Sequence, residues 1–165
     1  MSTEPDETAL LIAFARAASK AQEIEALLQE TVIGFEVLKD ARNRSFTDIA
    51  KEIDQLTLGQ LKRKYLETVG KHVADPEFEK MWNEINHERI FLMHKFFHVF
   101  PIAGLNGNKD AEQRLNRIDK LLDIGRRLLE DALKMTLEMF KLPPTEYREF
   151  LAFAVDHRKK STISE

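Results

Sequence analysis

Cysteine is absent from this 165-residue chain. Disulfide frameworks, thiol nucleophiles and cysteine-based zinc or iron–sulfur centres are excluded with it. Glycine and proline are sparse, at six and five residues. Long stretches without either argue for helices, and no stretch sustains the period-two alternation of a half-buried strand. No apolar run approaches the ~20 residues that a membrane span needs. The opening residues, MSTEPDETALL, are acidic and polar and lack the basic region of a signal peptide. A basic excess is missing too, since 25 Lys and Arg stand against 28 Asp and Glu, a net charge of −3. Salt-driven binding to long nucleic acid normally shows such an excess. The expectation is a cytoplasmic protein with neither a membrane nor long DNA as partner, for which a small RNA stays open.

What is present is globular. Hydrophobic residues make up 43% and charged residues 32% of the chain, far from the disordered class. The length predicts one domain over residues 1–165 with its own core, the ends 1–6 and 160–165 being disordered. Apolar positions Leu10, Phe14, Ala17, Ala21, Ile24, Leu28, Phe35 and Leu38 step by four and three, with Thr31 in the gap. That spacing predicts a long helix over about residues 6–42. Ala111, Leu115, Ile118, Leu122, Leu129, Ala132, Thr136 and Met139 repeat the pattern, with Gly125 in the missing place. Ser45, Thr57, Asp75 before Pro76, and Thr145 read as starts of shorter helices. The fold class is therefore all-α: an antiparallel helical bundle with two long and two to three shorter helices. Leu121, Leu128, Leu133 and Leu137 are apolar positions beyond those seams, and their surplus predicts a homodimer or, equally, a cover for the short helices.

The chemistry concentrates in His87–Pro101, HERIFLMHKFFHVFP. On a helix turning about 100° per residue, Phe78, Trp82, Ile85, Leu92, Met93, Phe96 and Phe100 form a core face with Arg89 near its centre. His87, His94 and His98 fall together on the opposite side, near Lys80 and Glu84. An arginine in a core face needs a carboxylate, with Asp119 and Asp123 on the second long helix as its expected partners, or else it snorkels to solvent from the helix edge. The histidine stripe admits a metal reading with Glu84, His87, His94 and His98 as ligands, because Glu-x-x-His and an i, i+4 histidine pair are both metal-binding spacings. Equally, it admits a solvated polar face.

Arg89-x4-His94, preceded by TLGQL at Thr57–Leu61 and followed by Phe96–Phe97, resembles the HEPN superfamily of compact helical-bundle proteins over about residues 10–140. The resemblance implies a homodimer with the motif helices facing each other across a cleft, and no metal or other cofactor. It further implies a metal-independent endoribonuclease, often paired with a nucleotidyltransferase-like antitoxin partner. Arg89 and His94 would then be catalytic: Arg89 would hold phosphate charge, and His94 would act as general acid or base toward the ribose 2′-hydroxyl. A guanidinium that forks onto oxygens and an imidazole that exchanges protons suit those roles. Active members carry a polar residue after the arginine, where this chain has Ile90. Two other readings stand beside the RNA-directed one: a non-catalytic dimeric interaction module, and a metal-binding bundle.

Overall fold

The computed structural model describes residues 5–39, 43–69, 76–139, 141 and 149–156. Every regular element among them is helical, so the chain is all-α. The order is α1 (Glu7–Lys39), α2 (Phe46–Asp54), α3 (Leu58–Val69), α4 (Pro76–His94), the single turn α5 (Phe96–Val99), a 3-10 turn at Ile102–Gly104 and α6 (Lys109–Met139). Residues 149–156 are also helical.

Side chains that accept from free backbone N–H groups fix where these helices begin. Asp6 Oδ1 accepts from Ala9 N at 2.6 Å, and Pro5 O accepts from Gly107 N at 2.8 Å. Pro5 and Asp6 are thereby tied down, although the sequence placed them in a disordered end. Ser45 Oγ accepts from Asp48 N at 3.1 Å, and Thr57 forms a reciprocal box with Gln60, at 3.3 Å and 2.8 Å. Asn108 caps α6 through Ala111 N at 3.0 Å. Gly107 just before it has φ 72°, a conformation that costs glycine nothing. Asp75 and Thr145 lie outside the described residues.

The chain divides into two compact units, Met1–Ile24 with Glu77–Arg126, and Glu25–Pro76 with Arg127–Glu165. In the first, α1 and α6 run in the same direction. Arg16 meets Asp119 at 3.2 Å, Lys20 meets Asp119 at 2.9 Å and Asp123 at 2.8 Å, and Arg126 meets Glu23 at 3.2 Å. Partners thus advance together along both helices. α4 is antiparallel to both: Phe96, just beyond its C-terminal end, stacks on the early Phe14, at 5.0 Å between ring centroids, and its Glu88 meets the early Arg114 of α6. Ile85 covers buried Gly125, where a Cβ would lie 3.3 Å from Ile85 Cγ1. The missing place in the α6 seam is thus filled by the Ile85 side chain of α4.

In the second unit, the last turns of α1 are covered on all sides, and Thr31 through Val37 are all buried. A helix apolar all round must be enclosed, and the buried side chains here come from several helices. Ile49 and Ile53 of α2, Leu58, Leu61 and Tyr65 of α3, and Phe150 and Ala154 of the 149–156 helix are buried. Phe150 stacks on Phe35 at 4.6 Å. Gly34 makes room for that ring, since a Cβ there would fall 2.9 Å from Phe150 Cδ1. Leu133 and Leu137, counted in sequence as surplus, are 1% exposed and belong to this core. Of the surplus, Leu121 is half-buried and Leu128 exposed.

A charge cluster fastens α2 and α3 to α1. Lys64 Nζ lies 2.8 Å from Glu52 and 3.9 Å from Glu36, Arg44 lies 3.4 Å from Glu36, and Arg44 also pairs with Glu52. The Lys64 and Arg44 hydrogen bonds hold the Glu52 carboxyl below its ordinary value, against an opposing effect of burial. A carboxyl with a lowered folded value adds stability above the ordinary glutamate range and loses it as the pH falls through the lowered one. Glu52 is nearly half exposed, so the contribution is small. Urea unfolding in low salt from pH 7 to pH 3 should show stability falling below about pH 4.5, and Glu52→Gln should flatten part of that fall. Equal acid profiles for the two proteins would contradict the role given to Glu52.

Candidate functional site

α4 begins at Pro76, whose fixed φ and missing N–H suit a first helical position. From there to His94 the helix is regular, and it then breaks. Lys95 has φ −124° and ψ −19°, and helical geometry resumes at Phe96 for a single turn. The sequence predicted one helix as far as Pro101. It carries neither proline nor glycine at Lys95. The break sits where Phe96, 1% exposed, becomes the centre of an aromatic cluster. Phe96 stacks on Phe14, Phe97 and Phe100 at 5.0, 5.2 and 5.3 Å. Each such pair contributes about 1 kcal/mol beyond area burial, enough together to offset an interrupted ladder.

The division of the motif into two faces follows from this helix. Trp82, Ile85, Leu92 and Phe96 are buried, and Arg89 is half-buried within the same arc. His87, His94 and His98 are all exposed. Arg89 and His94 both lie in the unbroken part of α4, so about 140° of helical rotation separates them. The break comes after His94 and leaves that angle as it was. Asp119 is met from α1 by Arg16 and Lys20, and Asp123 by Lys20. Lys20 is raised above its ordinary value: burial works against the charge, and the hydrogen bonds it donates to Asp123 and Asp119, with their negative charge, outweigh it.

Glu84 and His87 line a groove between α4 and α6, and His98 lies beyond the break at Lys95. Among the described residues, no group of three or more His, Asp or Glu is placed to hold a metal ion.

The residue that sequence reasoning passed over is Glu88. Its side chain is 6% exposed, and its Oε2 accepts from Arg114 Nη2 at 2.6 Å. The Arg114 guanidinium also sits 4.5 Å from the centroid of the Phe91 ring. One cation is thus held by a buried carboxylate and by the face of an aromatic ring, both on α4. A signal was available: Glu88 falls on the i+3 step between Ile85 and Leu92, and Arg114 on the i+3 step after Ala111. Polar residues at two core steps of neighbouring helices call for each other. His87 Nδ1 lies 3.9 Å from Glu88 Oε1 and is 76% exposed, so it borders the pair from solvent.

The two faces predict opposite responses to truncation. Arg89→Ala removes a long side chain from a packed arc and should cost about 2 kcal/mol in urea unfolding. His94→Ala removes a solvated ring and should stay within about 0.5 kcal/mol of the native protein. A neutral Arg89→Ala would contradict the placement of Arg89 in the packed face.

No protein-family model matches this chain, nor does any curated protein or solved structure.

Proposed function

We propose that this chain is a HEPN-like helical protein with an RNA-directed role, working as a homodimer through the solvent face of α4 and α5. The observation that carries the reading is the setting of His94. It is exposed, and exposed apolar side chains flank it one turn before and one turn after, Ile90 at 40% and Phe97 at 37%. Phe97 is positioned by stacking on Phe14 at 4.6 Å. An apolar pair around a polar centre, exposed on either side of the break between α4 and α5, suits a two-fold contact in which the same patch meets itself. Such a contact sets two His94 rings beside each other in a partly desolvated seam.

In that seam His94 is the group offered to RNA. Its imidazole would take the proton from a ribose 2′-hydroxyl as that oxygen attacks the adjacent phosphorus and the P–O5′ bond breaks. This leaves a 2′,3′-cyclic phosphate and a 5′-hydroxyl protonated from solvent, with no metal in the step. Arg89, the arginine of the resembling motif, stands about 140° from His94 in the packed arc of its own chain, so the seam itself offers the imidazole. A nucleotidyltransferase-like partner would occlude the same seam. The second reading, a non-catalytic interaction module, is favoured by Ile90, because an exposed isoleucine binds a partner surface and cannot hydrogen-bond a substrate.

Two experiments on the purified chain separate these readings. A mixed RNA incubated with it in EDTA should be cut, and His94→Ala should abolish the cutting with the melting temperature unchanged. Intact RNA would leave the interaction module as the reading. Sedimentation should show a dimer that Ile90→Asp with Phe97→Asp converts to a folded monomer. A native monomer at ~100 μM, or a dimer indifferent to both substitutions, would remove the α4–α5 contact.

A further inference from the structure

The hollow beside the Glu88–Arg114 pair is not absorbed by the RNA reading, which works through His94. It lies between α4 and α6 with a volume of about 470 Å³, and its lining includes Lys80, Glu84, His87, Glu88, Arg114 and Arg117. A second hollow of similar volume shares Glu84 and Arg117 with it and adds Lys120. Four cations, Lys80, Arg114, Arg117 and Lys120, therefore face two carboxylates, Glu84 and Glu88. The chain as a whole carries net charge −3, so a concave surface with an excess of two positive charges stands against the overall balance. The wall is also rigid, because Arg114 is fixed by Glu88 at 2.6 Å and by the Phe91 ring at 4.5 Å. Arg117, Lys80 and Lys120 are exposed at its rim, where they can meet a ligand without breaking that pair.

We infer that this groove binds a phosphate monoester dianion, with Arg117 and Lys80 as its main contacts and Lys120 at the edge. The charge selects the class: the groove's own lining has an excess of one, and Lys120 of the adjoining hollow raises it to two. A monoester dianion matches that excess, whereas a carboxylate or a backbone phosphodiester supplies one. Arg117 brings a forked donor suited to two phosphoryl oxygens, and Lys80 brings a point charge from the facing helix. The fixed Glu88–Arg114 pair sets the floor and keeps α4 and α6 from closing over the hollow. The monoester can come from a free nucleotide or from the 5′ end of an RNA. This site does not depend on His94, so it stands or falls apart from any cleavage.

Calorimetric titration of the native chain at low salt should detect binding of uridine 5′-monophosphate. A 5′-phosphorylated RNA octamer should bind at least about tenfold more tightly than its 5′-hydroxyl twin if RNA is the source. Tighter binding of the nucleotide than of the phosphorylated octamer would assign the source to free nucleotide instead. The double reversal Arg117→Glu with Lys80→Glu, both at exposed positions, should weaken binding at least about tenfold with the helical circular dichroism unchanged. Lys134→Glu, exposed on α6 and outside the groove lining, should leave binding intact. No heat with uridine 5′-monophosphate, or equal affinity in the reversed and native proteins, would overturn the assignment. Equal binding of the two octamers together with no nucleotide binding would overturn it as well.

Discussion

A carboxylate taken out of water must be met by a cation in good geometry, or it costs several kcal/mol. In the first unit that requirement falls on Glu88, which is 6% exposed and met by Arg114 at 2.6 Å. Because the two residues stand on α4 and α6, satisfying the charge fixes the rotation of α4 about its own axis. With Glu88 turned toward α6, the helical repeat sends Trp82, Ile85 and Leu92 inward. The same rotation sends His87 and His94 outward and leaves Arg89 in the packed arc. The division of labour in the motif is therefore a consequence of where its neighbouring glutamate is neutralised.

The ion pairs along α1 and α6 complement this constraint. Arg16, Lys20 and Glu23 on α1 meet Asp119, Asp123 and Arg126 on α6 at matching steps. These pairs are partly exposed, and each contributes little on its own. Their value lies in register, since a shift of one turn would set like charges side by side. Two parallel long helices are held in register by surface charge, with an antiparallel α4 pinned by a buried charge, and on this frame rest the α4–α6 groove and the α4–α5 face to which the proposals attach.

Much of this could be read from the residues. The four-and-three spacing of apolar positions named both long helices, and Thr31 and Gly125 in the gaps are buried as the spacing requires. Ser45 and Thr57 cap as their types dictate. The split of His87–Pro101 into a phenylalanine face and a histidine face also follows from periodicity. The break at Lys95 does not, because it arises from tertiary stacking around Phe96 and has no local signal. The ion pairs of Asp119 and Asp123 with Arg16 and Lys20 do not follow from periodicity either, because those cations stand on α1, about a hundred residues earlier in sequence. Leu133 and Leu137 read as surplus because a single seam was counted, whereas the second unit covers α6 on more than one side. Glu88 was legible in spacing, yet its position between two louder residues hid it.

The claim on which the rest depends is that Glu88 and Arg114 are energetically coupled and set the rotation of α4. A double-mutant cycle measures this directly, with urea unfolding of the native protein, Glu88→Ala, Arg114→Ala and the double variant. Each single change should cost about 3 kcal/mol because it leaves the other charge stranded, and the double should cost far less than their sum, a coupling of about 2 kcal/mol. Additive losses, with coupling below about 0.5 kcal/mol, would show that α4 is oriented by its apolar face alone and would contradict the account.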